Sequence, residues 1–123
     1  MVPQDLLAFR VALSKLDSLE TANERRSDVR YVPSASLSCA KVRLGSEDPI
    51  HDADVVDLSV NGIRLALAAG IQCQEGDPCQ IIFDPDEGTT WTLDGQIRWV
   101  TQHPYITVFG VLLDPQHTPL GPV

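Results

Sequence analysis

The chain has 123 residues, of which 43% are hydrophobic, and a formal net charge of −8. This length fits one domain that buries a core without disulfides or metals, and the negative charge argues against binding to long nucleic acids. No apolar run approaches the roughly 20 residues of a membrane-spanning helix, and the start of the chain lacks the basic and continuous apolar stretches of a signal peptide, so we expect a cytoplasmic protein.

The first predicted element is an amphipathic helix over about residues 4 to 20, within an N-terminal segment of residues 1–22. Its apolar stripe recurs at spacings of three and four and consists of Leu6, Phe9, Leu13 and Leu16. Two interpretations remain open: the helix packs on its own domain, or it forms a two-heptad dimerisation seam. Two heptads are short for a coiled coil, which favours the first interpretation.

An arginine-rich arm, residues 23–34, follows the helix. Arg26 and Arg30 form an Arg-x-x-x-Arg motif, and Arg25 directly precedes it. Guanidinium groups are planar, permanently charged forks that suit phosphate oxygens and the O6/N7 edge of guanine. Residues 23–43 hold five basic against two acidic side chains, a local basic site that suits a small anion. Taken alone, the arm has a simpler interpretation as solvated surface charge.

From about residue 35 the hydrophobic pattern changes from helical to alternating, which is typical of β-strands. The predicted strands are 40–44, 52–59, 63–68, 79–84, 91–101 and 105–113. Six short strands with tight connections and no intervening helix predict a mainly β domain over residues 35–114, as a small antiparallel barrel or sandwich. The tail, residues 115–123, contains three prolines, which exclude a long helix there.

A second polar motif, Asp-x-Ser-x-x-Gly, lies at Asp57, Ser59 and Gly62. Asp57 is able to accept two hydrogen bonds from the N1 and N2 donors of a guanine, Ser59 to donate or accept, and Gly62 to let a backbone approach closely. Asp57 and Ser59 are two residues apart, so they are predicted to face the same side of a strand. Asn61-Gly62 is also a strong hairpin signal, so Gly62 has a turn interpretation whether or not anything binds.

Together the two motifs resemble those of the PilZ domain family, bacterial receptors for cyclic di-GMP, over roughly residues 24 to 114. The family pattern is matched at Arg26, Arg30, Asp57, Ser59 and Gly62. The resemblance implies a six-stranded antiparallel barrel, preceded here by the N-terminal helix. Many relatives follow the barrel with a C-terminal helix, and this chain departs from that pattern.

The resemblance also implies roles for individual residues. Arg26 and Arg30 are expected to hold the phosphates and guanine edges as the arm wraps over the ligand. An arginine at the position of Arg25 tends to accompany a stacked, two-molecule form of the ligand. Trp99 is expected either to stack on a guanine or to pack in the core, and core packing is favoured more for Trp91.

Closure of a flexible arm is energetically expensive. Ordering six backbone residues costs about 6 to 12 kcal/mol, whereas each charge-assisted hydrogen bond returns about 1.5 to 3 kcal/mol. We therefore expect an arm that is partly ordered beforehand, or one whose closure also buries apolar surface through Val29 and Tyr31.

The sequence predicts no enzyme and no metal site. His51-Asp52 and the acidic pair of Asp52 and Asp54 lack the further ligands that a catalytic metal needs, and Ser59 has no organised base. Three cysteines without a Cys-x-x-Cys pair, Cys39, Cys73 and Cys79, predict neither a disulfide framework nor zinc. We expect them to fill small apolar spaces, Cys39 in a strand especially.

The predicted function is that of a non-catalytic cyclic di-GMP receptor without a cofactor. Clamping of the arm is expected to reorient the N-terminal helix and alter its contact with an unidentified protein partner, and a homodimer remains open. The alternative is a PilZ-like adaptor that contacts other proteins and binds no nucleotide. Such members generally lack the arginine arm and the Asp-x-Ser pair, and both are present here.

Overall fold

The computed structural model describes residues 4–16, 29–45 and 49–113. It contains one α-helix, α1 (Gln4–Leu13), a 3₁₀ turn (Ala35–Leu37) and six strands. The strands are β1 (Cys39–Arg43), β2 (Ile50–Leu58), β3 (Gly62–Ala68), β4 (Pro78–Asp86), β5 (Thr89–Gln102) and β6 (Ile106–Leu113). They pair antiparallel in the order β1-β2-β3-β6-β5-β4, and β4 pairs back to β1 to close a barrel. The predicted six-stranded barrel with an N-terminal helix is therefore confirmed.

Alternating residues of each strand fill the barrel interior. In β4, for example, Cys79, Ile81 and Phe83 are buried, while Pro78 and Asp84 are exposed. A closed barrel buries one face of every strand, which explains why the alternating pattern was a reliable signal for the strands.

Helix α1 completes the core at the end of the barrel where β4 ends and β5 begins. Its side chains Leu6, Phe9 and Leu13 are buried, and the ring of Phe9 stacks on that of Phe83 with centroids 6.0 Å apart. Asp5 Oδ2 accepts a hydrogen bond from the backbone N–H of Thr92 on β5 at 3.0 Å. The helix thus packs on its own domain, as the favoured interpretation predicted.

The helix ends earlier than predicted, at Leu13 rather than near residue 20. The next residues form i→i−3 turns, and the Ser14 hydroxyl donates to the carbonyl of Val11 at 2.6 Å. A serine that bonds the preceding turn competes with the helical hydrogen bonds, so an apolar spacing that extended to Leu16 overestimated the helix. Residues 17–28 lie outside the described residues.

The three cysteines differ in environment. Cys79 is buried in the barrel and Cys73 is half-buried, but Cys39 is exposed at the start of β1, so its predicted role as an apolar filler was wrong. The reason is the side of the barrel that each residue of β1 faces, because Ala40 and Val42 face inward and Cys39 faces outward. Burial, with smaller contributions from Cys73, Asp94 and Asp77, raises the pKa of the Cys79 thiol to about 12. Burial and the charge of Asp77 also raise the pKa of Cys73.

Candidate functional site

The last described residues of the arm are attached to the end of β2. The backbone N–H of Tyr31 donates to the carbonyl of Leu58 at 2.7 Å, and that of Leu58 donates back to Tyr31 at 3.2 Å. Tyr31 also packs against the core, whereas Val29 is exposed. This part of the arm is therefore attached to the barrel through backbone hydrogen bonds, and how the rest of the arm behaves on binding stays a prediction.

This attachment places Arg30 over the second motif. Its Nε donates to Asp57 Oδ1 at 2.9 Å, its Nη2 also contacts Oδ1, and its Nη1 donates to Ser59 Oγ at 3.0 Å. The Ser59 hydroxyl in turn donates to the carbonyl of Gly62 at 3.1 Å. Asp57 and Ser59 thus face the same guanidinium, as their spacing predicted, and the two motifs form one cluster.

Asp57 holds a second arginine that the sequence did not single out. Arg64 Nε donates to Asp57 Oδ1 at 3.0 Å, and Arg64 Nη2 lies 2.6 Å from Oδ2. The side chain of Asp57 is 4% exposed, against 14% for Arg30 and 38% for Arg64. Burial of a carboxylate is costly unless it is paired and hydrogen-bonded, and the two arginines supply these partners.

A β-bulge explains the position of Arg64. Val55 pairs with Leu65 and Asp57 pairs with Arg64, so Val56 is the extra residue on β2. Without the bulge, Val56 would lie opposite Arg64 instead of Asp57. The sequence offered one signal for Arg64, its polar position two residues after Gly62 on an alternating strand, but the bulge was not predictable from that alternation.

Gly62 is required for a reason other than the predicted turn. Positive φ angles in the described residues occur at Gly70, Gly76 and Gly88, so Asn61-Gly62 is not the two-residue hairpin turn that the dipeptide indicated. A Cβ at Gly62 would instead lie 2.8 Å from the carbonyl oxygen of Val111 on β6. The glycine allows this close approach of two strands beside the arginine cluster.

An open cleft of about 390 Å³ adjoins this cluster on the outer face of β3, β6 and β5. We call it the arginine cleft. Its lining includes Arg30, Gly62, Arg64, Arg98 and Trp99. The cleft therefore gathers three guanidinium groups, a charge suited to a small polyanion despite the acidic character of the whole chain.

Trp99 lies on the surface rather than in the core. A bulge in β5 between Ile97 and Trp99 leaves both Arg98 and Trp99 exposed towards solvent, and Trp99 is 38% exposed. Its indole covers Gly110 on β6, where a Cβ would lie 2.4 Å from Nε1. Trp99 is therefore not packed in the core and its stacking on a ligand stays a prediction, while the half-buried Trp91 packs against the core.

Helix α1 reaches the second motif through Arg10. Arg10 Nε donates to the carbonyl of Val60 at 3.2 Å, and Nη2 donates to Asn61 Oδ1 at 3.4 Å. Val60 and Asn61 form the turn between Ser59 and Gly62, in which the N–H of Ser59 donates to the carbonyl of Gly62 at 2.7 Å. This contact was not predictable from the sequence because fifty positions separate Arg10 from Val60.

Of the predicted site residues, the structure brings together Arg30, Asp57, Ser59 and Gly62, and Trp99 lines the arginine cleft with Arg30 and Gly62. Arg25 and Arg26 lie outside the described residues, and so does the tail from residue 114. Over the three described ranges, no group of three or more His, Cys, Asp and Glu side chains is placed to hold a metal ion. None of the helices in those ranges is long and apolar enough to span a membrane.

Comparisons with known proteins agree with this architecture. The family model for the PilZ domain matches residues 24–118. The search of curated proteins produced no match.

Two solved structures share the fold. The PilZ domain of YcgR from Escherichia coli, solved with cyclic di-GMP, is similar with a TM-score of 0.59 and 16% identity, over 73% of this chain and 78% of that chain. The Bacillus subtilis inhibitor of motility MotI/DgrA is similar with a TM-score of 0.53 and 20% identity, over 75% of this chain and 44% of that chain.

Proposed function

The chain belongs to the PilZ domain family, and on this basis we propose that it is a non-catalytic bacterial receptor for cyclic di-GMP that acts in the cytoplasm. The observation that carries the proposal is the contact of Arg30 with both Asp57 and Ser59, because it unites the two motifs in one cluster. The YcgR domain, which has this fold and was solved with cyclic di-GMP, supports the choice of ligand.

The arginine cleft is the proposed binding surface. Arg26 and Arg30 hold phosphates and guanine edges, Asp57 and Ser59 contact the guanine edge, and Gly62 keeps the surface open. Trp99 offers an exposed indole face, and stacking of a base on an aromatic ring contributes about 1 to 3 kcal/mol.

Ligand entry requires an exchange of partners at Asp57. Its carboxylate already accepts hydrogen bonds from Arg30 and Arg64, and an ionised carboxylate has roughly four acceptor sites. A guanine that donates N1–H and N2–H to Asp57 therefore replaces an arginine, and a ligand phosphate becomes the new partner of that arginine. One charge-assisted bond replaces another, so this exchange is close to neutral and net affinity comes from the added contacts.

The ordered end of the arm lowers the cost of closure. Arg30 and Tyr31 are already fixed to β2, and each residue ordered in advance saves roughly 1 to 2 kcal/mol of backbone entropy at binding. The clamp therefore needs to order fewer residues than the whole arm.

We infer that binding is transmitted to α1 through Arg10 as well as through the arm. Val60 and Asn61 lie between two ligand-contacting residues, Ser59 and Gly62, and Arg10 bonds both of them. A ligand that shifts this turn changes the contact of Arg10 with Val60 and Asn61. Signalling requires that the free and the ligand-bound protein differ in such contacts.

Calorimetric titration tests the choice of ligand. We expect cyclic di-GMP to bind and cyclic di-AMP, the control, to bind far more weakly. Arg26→Ala or Arg30→Ala should lose at least about 2 kcal/mol, near thirtyfold in affinity, because each deletes a charge-assisted contact. Lys41→Ala, which removes an exposed cation on β1, is the matched control. If the wild-type chain binds no cyclic di-GMP, the result favours the adaptor alternative. If the cyclic di-GMP recovered after the titration is hydrolysed, the protein is an enzyme.

The same titration tests Arg25. Two ligands per protomer are expected for the wild type and one for Arg25→Ala, and a single ligand in both would refute the role of Arg25.

Amide hydrogen exchange tests transmission. Ligand should alter exchange in α1 of the wild type, and Arg10→Ala should reduce that change while leaving cleft protection in place. An α1 that responds equally in both proteins would rule out the Arg10 route without affecting the binding proposal.

A further inference from the structure

A second concavity lies on a different part of the barrel surface. It is a groove of about 730 Å³ that crosses the outer faces of β4, β1, β2 and β3 and reaches the start of β6. None of its described lining residues belongs to the arginine cleft. We call this groove the acidic groove. Its volume falls within the range of about 300 to 1,000 Å³ that is typical of ligand sites.

The floor of the acidic groove is apolar and its margin carries carboxylates. Small or branched aliphatic side chains form the floor, including Ala66, Ala68, Ile82 and Ile106. Ile106 is 43% exposed, which is high for a side chain of this size. An apolar floor with a charged margin is the composition of a surface that binds an amphipathic partner.

The carboxylates of the margin are Asp52, Asp54 and Asp84, and all three are exposed. None of them forms an ion pair with another described residue. Asp84 accepts one hydrogen bond from Thr90 Oγ1 at 2.8 Å. Lys41 is the one cation among the described lining residues and lies opposite Asp52 on the neighbouring strand. With three carboxylates and one lysine, the described lining of the groove therefore carries an excess of negative charge.

The structure argues against several occupants of this groove. The described strands close into a barrel in which β4 pairs with β1 over residues 80–82, so an added β-strand would find only the short ends of β1 and β4 beyond this pairing. No described lining residue is aromatic, whereas recognition of polyproline helices depends on aromatic-lined grooves. Nucleic acids and phosphorylated segments are repelled by the carboxylates, and the same holds for a second copy of this chain with its charge of −8.

We propose that the acidic groove binds a basic amphipathic helix of a partner protein. The apolar side of such a helix packs on the alanines and isoleucines of the floor, and its lysines or arginines pair with Asp52, Asp54 and Asp84. Alanines at the floor let a helix of about 10 to 12 Å diameter approach closely. This binding does not depend on the identity of the nucleotide, because the groove is separate from the arginine cleft.

Cys39 provides a reporter at the edge of the groove. It is exposed and lines the groove, whereas Cys79 is fully buried and both Cys73 and Cys79 have pKa values raised by burial. Thiolates are the reactive form, so a maleimide fluorophore at neutral pH should label Cys39 selectively. Its fluorescence then follows occupancy of the groove in the full chain, with calorimetry of unlabelled protein as a check on the label.

Three designed peptides of about 15 residues, roughly four helical turns, serve as probes. One is amphipathic with leucines and lysines, the second has the same leucines with glutamates, and the third has the leucine and lysine positions scrambled. The amphipathic basic peptide should bind at least about tenfold more tightly than either control. Equal binding of the scrambled peptide would indicate charge attraction alone and overturn the proposal.

Variants locate the binding surface. Asp52→Asn with Asp54→Asn should weaken binding of the basic peptide about tenfold, and Ala66→Arg, which adds a bulky cation to the floor, should weaken it further. Asp86→Asn with Glu87→Gln removes the same charge from the exposed β4–β5 turn and is the matched control. If this control weakens binding as much as the groove pair, the groove is not the site. Sedimentation that shows a dimer broken by Ala66→Arg would identify a second copy as the occupant and also overturn the proposal.

Discussion

Two charged regions share one barrel, and they use aspartate in opposite ways. In the arginine cleft, Asp57 is buried and paired with Arg30 and Arg64. In the acidic groove, Asp54 is exposed and has no ion pair among the described residues. A buried carboxylate requires its partners for the fold to be stable, whereas an exposed one costs little and remains available to another molecule. Burial rather than residue type therefore decides which aspartate is structural.

The largest expected effect is the loss of Asp57. Asp57→Ala leaves two guanidiniums without their carboxylate, and breaking a buried ion pair costs about 3 to 5 kcal/mol; we expect about 3 because Arg64 is partly solvated. Chemical denaturation of the wild type and the variant measures the difference. A loss of less than about 0.5 kcal/mol, the usual range for a surface substitution, would remove the contrast between the two regions.

The second largest effect is expected at Arg64, which we predict to contact the ligand although the family motif does not contain it. Arg64→Ala should weaken the binding of cyclic di-GMP about tenfold, or by about 1.4 kcal/mol, because it removes one of the three guanidiniums of the arginine cleft. Titration calorimetry measures this loss. Arg64→Lys keeps the charge but not the fork and should recover only part of the affinity. Wild-type affinity in Arg64→Ala would restrict Arg64 to its structural role at Asp57.

A smaller effect is expected at the Trp99 side of the cleft. Gly110→Ala places a methyl group where the indole lies, so the ring must move; overpacking costs about 1 kcal/mol here because the half-exposed ring is able to swing outward. Tryptophan fluorescence in a Trp91→Phe background follows Trp99 alone. In a Trp99→Ala background the same change should cost nothing, and an equal cost in both backgrounds would show that the ring is not the obstacle.

The smallest effect is expected at the acidic groove itself. Asp54→Ala should leave the free energy of unfolding within about 0.5 kcal/mol of the wild type, because no described partner loses an ion pair. Chemical denaturation of the two variants, Asp54→Ala and Asp57→Ala, under the same conditions compares their free energies of unfolding directly. A destabilisation close to that of Asp57→Ala would mean that Asp54 is also structural and would weaken the case for a partner at the groove.

The barrel was predictable because each strand repeats a local pattern of inward and outward residues. The strand predicted at 91–101 is observed as Thr89–Gln102, and that predicted at 105–113 as Ile106–Leu113. Motif spacing and family resemblance also predicted that Arg30, Asp57 and Ser59 belong to one site, but not that Arg30 would contact the other two directly. These features depend on residues close in sequence or on a pattern that many chains share.

The missed features depend on contacts between distant strands. The pairing of Arg64 with Asp57 requires a bulge at Val56, which alternation alone does not reveal. A close backbone approach at Gly62 was expected, but its partner, the carbonyl of Val111 far along the chain, was not. The contact of Arg10 with the Val60–Asn61 turn likewise depends on where α1 packs. Only the assembled barrel brings these groups together.

The stacking of Phe9 on Phe83 limits how far α1 can move away from the barrel. Leu6, Phe9 and Leu13 belong to the same apolar interior as the strands, and exposing three such side chains would cost about 5 to 9 kcal/mol. A ligand that detached the helix from the barrel would have to supply this free energy in addition to its net binding free energy. If the proposed receptor signals through α1, a change in the tilt of the helix on the barrel therefore costs less than its detachment, and a partner protein would recognise the reoriented helix.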